Sequence, residues 1–365
     1  MKKNILVIDD SALMRRVLSD IINLDDRFQA VDSAVNGLDG LEILQNKAKD
    51  YDAVLLDINM PRMSGIELLE QMRENHIKAN VIVVSTIAKK DAKETIRALE
   101  LGAFDFVTKP ESYLEFKNNI FSNRLIDCLV LATKAEDKKN SEIAVTKTPI
   151  REVKQELKSK AVVSTAPSSV KGCNKLVAIA CSTGGPKALH TVLPKLSKNL
   201  DAGVLIVQHM PGGFTKSLAD RLNELSPLTI KEAEDGELFQ RGHVYIAKGG
   251  CQMRLKQSED GKHYLTVTSE PARHGLLPCA DIMFESLEEI VMDQITCVVL
   301  TGMGGDGTAG ISKLYKKHNL HVIAQNEETS IVYGMPKVLK EAGLADEVVA
   351  LNDISDAIMK NVGVY

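Results

Sequence analysis

At 365 residues, 44% apolar and 26% charged, the chain has the make-up of an ordinary soluble globular protein, and its length favours two domains over one. A net charge of −4 gives no electrostatic reason to expect nucleic acid or an anionic membrane as the main partner, and no stretch approaches the roughly 18 apolar residues of a membrane span. The first apolar run, Ile5 to Ile8, is too short for a signal-peptide core, and the six cysteines form no CxxC pair, the pattern of reduced thiols in a cytoplasmic protein.

Strand-like runs over 4–9, 30–34, 53–58, 80–85 and 104–108 alternate with helical patterns near 11–24, 37–46, 64–74, 90–101 and 111–128. Five βα units in series predict a parallel sheet covered on both faces, with the chemistry gathered at the carboxyl ends of the strands. Those ends carry Asp9 and Asp10, Asp57, Ser85 and Thr86, and Lys109 before Pro110. Three carboxylates brought together repel one another unless a cation sits among them, and an all-oxygen set suits Mg²⁺. A single aspartate there would read as a helix cap, as Asp10 or Ser11 could be for the helix starting near Ala12. The whole set, with a hydroxyl and a lysine, calls for more than capping.

The segment resembles the receiver domain of two-component response regulators, a flavodoxin-like (βα)5 fold. The residues that carry the resemblance are Ile8-Asp9-Asp10-Ser11, Leu56-Asp57-Ile58-Asn59-Met60-Pro61-Arg62-Met63-Ser64-Gly65, Val84-Ser85 and Thr108-Lys109-Pro110. The resemblance implies that Asp57 is the phosphoacceptor and that Asp9, Asp10 and Asp57, joined by the Asn59 carbonyl, hold Mg²⁺. It further implies that Ser85 and Lys109 contact the phosphoryl oxygens, that Phe106 is the aromatic switch residue, and that a histidine kinase is the phosphodonor. A metal and a lysine would neutralise the charge that develops as a phosphoryl group moves onto a carboxylate.

From 132 to 174 there is no aromatic residue, and residues 131–174 carry nine Lys or Arg against five Asp or Glu. Such a composition cannot bury a core, so a flexible tether is expected over 129–174, between a first domain at 1–128 and a second at 175–365.

In the second domain apolar strand candidates recur at 176–181, 203–208, 228–231, 296–301, 321–325 and 347–350, again a doubly wound α/β pattern. Three further runs, 243–247, 252–256 and 263–268, alternate like an antiparallel ribbon, with Glu259-Asp260-Gly261 as its turn signal. Three strand ends carry groups suited to reaction: Ser182 in Ser182-Thr183-Gly184-Gly185-Pro186, His209 in Gln208-His209-Met210-Pro211, and Asp306 in Gly302-Met303-Gly304-Gly305-Asp306-Gly307. A hydroxyl, an imidazole that takes its proton and a carboxylate that orients the imidazole form the acyl-transfer triad, and the glycines leave backbone N–H groups able to face an oxyanion.

Each residue alone could be a turn or cap residue, and the Gly-rich turn at 182–185 could instead bind an anion. GxGxxG is absent, however, and Ala180 rules out the GxSxG elbow. Cys181 would point away from Ser182 by strand alternation and reads as packing.

Taken together, Ala180-Cys181-Ser182-Thr183-Gly184-Gly185-Pro186, Gln208-His209-Met210-Pro211, Thr301-Gly302-Met303-Gly304-Gly305-Asp306-Gly307 and Ala324-Gln325-Asn326-Glu327 resemble the chemotaxis protein-glutamate methylesterases, the CheB-type family, with a Rossmann-like catalytic domain behind a receiver. The resemblance implies hydrolysis of glutamate methyl esters, and deamidation of certain glutamines, on the cytoplasmic helices of methyl-accepting chemoreceptors. Ser182 would be nucleophile, His209 base and then acid, Asp306 its orienter, and the Thr183 and Met303 N–H groups the oxyanion donors. No cofactor is expected in the catalytic domain, and neither nucleic acid nor direct membrane insertion. The segment 275–281 departs from the family's pattern and is expected to border the cleft. A receiver tethered to an enzyme leads to the expectation that the unphosphorylated first domain covers the Ser182 cleft. A receiver-linked esterase of a non-motility sensory pathway and a non-enzymatic, anion-binding response regulator are the competing readings.

Overall fold

The computed structural model describes residues 1–110, 119–135 and 173–364, apart from the Lys89 side chain. The chain divides into two compact units, Met1–Val145 and Thr146–Tyr365. The tether expected over 129–174 lies largely outside the described residues, as does the start of the fifth helix. Among the described residues no helix is long and apolar enough to cross a membrane.

In the first unit, strands β1 (Lys3–Ile8), β2 (Phe28–Ala34), β3 (Ala53–Asp57), β4 (Val81–Ser85) and β5 (Asp105–Thr108) form one sheet in the order β2-β1-β3-β4-β5. Every pairing is parallel, and β3 and β4 are buried along their whole length because helices cover both faces. Helix α1 (Ala12–Leu24) begins where the Ser11 hydroxyl accepts the Met14 N–H, and it buries Leu18, Ile21 and Ile22 at helical spacing. Helices α2 (Gly37–Lys47), α3 (Gly65–Glu74) and α4 (Lys89–Leu101) follow; α3 starts in a capping box between Ser64 and Glu67. Helix α5 (Ile120–Thr133) runs five residues past the expected domain end at 128, because Leu129 and Ala132 are buried in the same core as Phe28 and Val107.

In the second unit, β6 (Lys175–Cys181) is followed by α6 (Gly185–Val192), β7 (Gly203–Gln208), α7 (Phe214–Leu225), β8 (Thr229–Glu232) and β9 (His243–Ile246). The ribbon strands β10 (Gln252–Gln257) and β11 (His263–Thr268) and helix α8 (Ala280–Ser286) come next. The chain ends with β12 (Gln294–Val299), α9 (Thr308–Leu314), β13 (Leu320–Gln325), α10 (Met335–Glu341), β14 (Glu347–Val349) and α11 (Ile354–Val362).

Seven strands pair in parallel in the order β14-β13-β12-β6-β7-β9-β8. The apolar run of β6 is thus central, with Leu176, Val177, Ile179 and Ala180 fully buried, and each large side chain there contributes about 1.5–3 kcal/mol by leaving water. One expectation is corrected. The stretch 243–247 belongs to no ribbon: β9 lies in the main sheet, parallel to β7 and β8, and only β10 and β11 pair antiparallel. Its alternation misleads because Tyr245, a polar-tipped residue, is fully buried, its hydroxyl donating to Leu238 O at 3.0 Å and accepting from Gln240 N at 3.2 Å.

Candidate functional site

The carboxyl ends of the first sheet bring the expected residues together. Asp9, Asp10 and Asp57 offer oxygens that all lie within 4.8 Å of one another. Lys109 Nζ sits 3.0 Å from both Asp9 Oδ2 and Asp57 Oδ2. Burial first, and then repulsion from Asp9, raise the Asp57 carboxyl above its ordinary range, with Lys109 opposing. Burial pulls the Lys109 ammonium down, but Asp57 and Asp9 outweigh it and raise it. Lys109 pairs with two of these three carboxylates, Asp9 and Asp57, and the surplus of negative charge and oxygen donors fits a hard divalent cation.

Ser85 ends β4, and its hydroxyl meets the Thr95 hydroxyl at 2.7 Å, while Thr95 also donates to Asp91 O at 2.7 Å. Phe106 is buried. The Asn59 amide donates to Asp91 Oδ1 at 2.8 Å, and Thr86 donates to the other oxygen of that carboxylate. Thr95 and Asp91 are contributions from α4 that sequence reasoning missed.

The second site is assembled by three neighbouring strands. Because β6 lies between β12 and β7, the turns after all three strands open at one edge of the sheet, where ligands of doubly wound sheets bind. The Ser182 N–H donates to Thr301 O at 3.0 Å and the His209 N–H to Cys181 O at 3.1 Å, so both neighbouring turns are stitched to that of the serine. Gly184, with φ of 78°, makes the left-handed step that lets α6 begin at once with Gly185 and Pro186.

His209 Nε2 lies 2.7 Å from Asp306 Oδ2, and the two side chains are only 10% and 6% exposed. With Nε2 on the carboxylate, Nδ1 is the ring nitrogen left to act as base. Burial by itself raises the Asp306 carboxyl, but the His209 ring and the backbone N–H groups of Asp281 and Ala280 outweigh it and hold it down at about 2. Among the described residues the Ser182 hydroxyl has no hydrogen-bond partner, so the serine–histidine leg is open here. Catalytic hydrogen bonds are often long in ligand-free sites and tighten in the substrate complex.

A methyl at Gly302 would lie 2.7 Å from Ser182 Cβ, so the Gly302-Met303 backbone runs directly against the serine. Among the described residues neither the Thr183 nor the Met303 N–H donates to a protein acceptor. Both are available to an anion beside Ser182. Cys181 is fully buried, its thiol donates to Gln208 Oε1 at 3.0 Å, and burial raises it far above the thiol range, which agrees with packing.

Sequence reasoning missed the buried frame of the site. The Gln208 amide donates to both Ser182 O, at 3.0 Å, and His209 O, at 3.1 Å, and so ties the two turns together. Thr301 Oγ1 donates to Thr183 O at 2.9 Å. The segment 275–281 borders the site through its end: Ala280 N lies 2.6 Å from Asp306 Oδ2, and Asp281 N and Cys279 Sγ lie 2.9 and 3.2 Å from Oδ1. Burial first, then the nearby Asp306 charge, push the Cys279 thiol up to about 12, so it is a neutral donor.

The family model described as CheB methylesterase matches residues 177–358, and that of the response regulator receiver domain matches residues 5–120. A protein-glutamate methylesterase/protein-glutamine glutaminase of Syntrophomonas wolfei is 39% identical over 363 residues, 98% of this chain and 99% of that protein. One from Pyrococcus abyssi is 37% identical over 99% of this chain and 94% of its own length. Among solved structures, the Thermotoga maritima CheB methylesterase catalytic domain is 42% identical with a TM-score of 0.50, over 52% of this chain and 99% of that one. End to end, in the order receiver then esterase, this chain belongs to the protein-glutamate methylesterase/protein-glutamine glutaminase family.

Proposed function

We propose that this chain is a cytoplasmic, phosphorylation-regulated hydrolase, a receiver domain that runs through α5 to Thr133 controlling a catalytic domain over 175–365. It removes methyl esters from glutamates, and amide groups from certain glutamines, on the cytoplasmic segments of methyl-accepting chemoreceptors. The observation that carries this reading is the His209–Asp306 pair at 2.7 Å on the strand ends that flank the Ser182 turn.

Ser182 Oγ attacks the ester carbonyl as His209 Nδ1 takes its proton, while Asp306 holds the ring and balances the imidazolium. The Thr183 and Met303 N–H groups receive the oxyanion, a contribution of about 3–4 kcal/mol per donor in comparable sites. Collapse of the tetrahedral intermediate expels methoxide, which leaves as methanol with the proton from His209; from a glutamine the leaving group is ammonia. Water activated by His209 then hydrolyses the seryl ester and frees Ser182.

In the receiver, Asp57 accepts the phosphoryl group from a histidine kinase. Asp9, Asp10, Asp57 and the Asn59 carbonyl would hold Mg²⁺, which neutralises phosphoryl charge when bound. Lys109 contacts the phosphoryl oxygens, and Ser85 and Phe106 report the modified state by changing partners.

The test is methanol release from methylated receptor membranes, with and without a small acyl phosphate, for wild type and Ser182→Ala. Release that rises with the acyl phosphate and vanishes in Ser182→Ala is expected. Undiminished release by Ser182→Ala would remove the serine from its role.

A further inference from the structure

Asp306 is held by much more than His209. Its Oδ1 receives the N–H groups of Asp281, at 2.9 Å, and Gly307, at 3.0 Å, besides the Cys279 thiol, and its Oδ2 receives Ala280 N. The debt is returned by the buried Asp281, whose Oδ1 accepts Gly307 N at 3.0 Å and Gly310 N at 2.7 Å. The two segments therefore exchange carboxylates: 280–281 supplies donors to Asp306, and 307–310 supplies donors to Asp281. The Gly307 N–H, one residue from Asp306, is shared by both carboxylates. Movement of either segment breaks bonds to both.

Two carboxylates so close repel, so the arrangement holds only while the N–H groups each accepts stay in place. Nor can the segments slide. A methyl on Gly310 would meet Asp281 O and Phe284 Cβ at 2.8 Å, and one on Gly307 would meet Phe284 Cε2 at 3.0 Å. The clasp is closely packed, and it ends on the carboxylate that orients the base.

We propose that Asp281 is a positioning residue for the hydrolysis: by accepting the Gly307 and Gly310 N–H groups it fixes the loop that carries Asp306, and so sets that carboxylate against His209. The inference rests on the reading of Ser182, His209 and Asp306 as the hydrolytic triad. Asp281 touches neither substrate nor the reacting atoms; it acts through Asp306.

The experiment measures methanol release by the full-length chain from receptor membranes carrying radiolabelled methyl esters, together with the proton resonance of His209 Nε2–H. Asp281→Ala is expected to lower kcat by about 10- to 100-fold, as for misplacement of a catalytic group by about 1 Å, with KM little changed. Asp281→Asn keeps Oδ1 as acceptor and restores most of the loss. In an Asp306→Ala background, Asp281→Ala costs almost nothing more, because the group it positions is gone. Gly310→Ala, which presses on the clasp without altering a carboxylate, lowers kcat in the same way and covers the case in which Asp281→Ala does not fold.

Full kcat and an unmoved His209 resonance in Asp281→Ala and Gly310→Ala would overturn the proposal, as would an equal loss with and without Asp306. Failure of the triad reading looks different: wild type and Ser182→Ala would then release methanol alike, while the resonance still reports whether Asp281 holds the pair.

Discussion

Replacing Gly185 by alanine sets two effects of opposite sign against each other. Gly185 is the first residue of α6 and its backbone is not left-handed, so alanine is allowed there and should stabilise by about 0.4–1 kcal/mol through the unfolded chain. Against this, a methyl at 185 overlaps Gln208 Oε1, with Gln208 Cδ and Cys181 Cβ at 3.0 Å. Gln208 is 2% exposed and has nowhere to go without giving up its bonds to Ser182 O and His209 O. Overpacking costs about 1–3 kcal/mol and the two bonds about 0.5–1.5 kcal/mol each, so once the gain is subtracted a net loss centred on about 3 kcal/mol is expected. At about 2–4 °C per kcal/mol for a unit of this size, calorimetry of the full chain should show the catalytic transition falling by roughly 5–15 °C and the receiver transition unmoved. Methanol release should fall with it, since the turns of Ser182 and His209 lose their common tie. The cost should shrink in a Gln208→Ala background, where the methyl has room. A Gly185→Ala protein as stable and active as wild type would refute the argument that Gln208 braces the site.

Millimolar Mg²⁺ should raise the receiver transition and leave the catalytic one alone, by about 1.4 kcal/mol at ten times Kd, and Asp10→Asn should abolish the shift; equal shifts in wild type and variant would contradict the three-carboxylate site. The Asp306 carboxyl is held down at about 2, so its contribution to stability is complete above the ordinary aspartate value near 3.8 and is lost as pH falls through about 2. The stability difference between wild type and Asp306→Asn, followed by denaturant titration, should therefore shrink as pH falls below 4. A difference that grew in acid would reverse the sign of the argument.

Much of this molecule could be read from its sequence because strand and helix periods are local. Buried parallel strands announce themselves as apolar runs, and the residues just past them, Asp9, Asp57, Lys109, Ser182 and His209, fall where the chemistry of such sheets gathers. Asp306 was legible through its glycines. Tyr245 shows where the pattern fails, since a hydroxyl that finds partners at Leu238 and Gln240 can be buried as completely as a leucine. Gln208, Thr95 and Asp281 were not legible for a further reason. Their roles lie in bonds to backbone groups or hydroxyls set by tertiary packing, and no spacing in the chain records which N–H or C=O will be nearby.

The central position of β6 has a consequence for how activity is lost. Its amides are laddered on both sides, to β12 and to β7, so they exchange with solvent only when the whole sheet opens, whereas the edges at β14 and β8 open at lower cost. Ser182 is the residue immediately after that most protected strand, and its two partners leave the adjoining ones. Fraying at the rim of the sheet therefore leaves hydrolysis untouched, and no half-active form precedes collapse. As temperature or denaturant rises, the surviving fraction of esterase activity should follow the surviving fraction of slowly exchanging β6 amides.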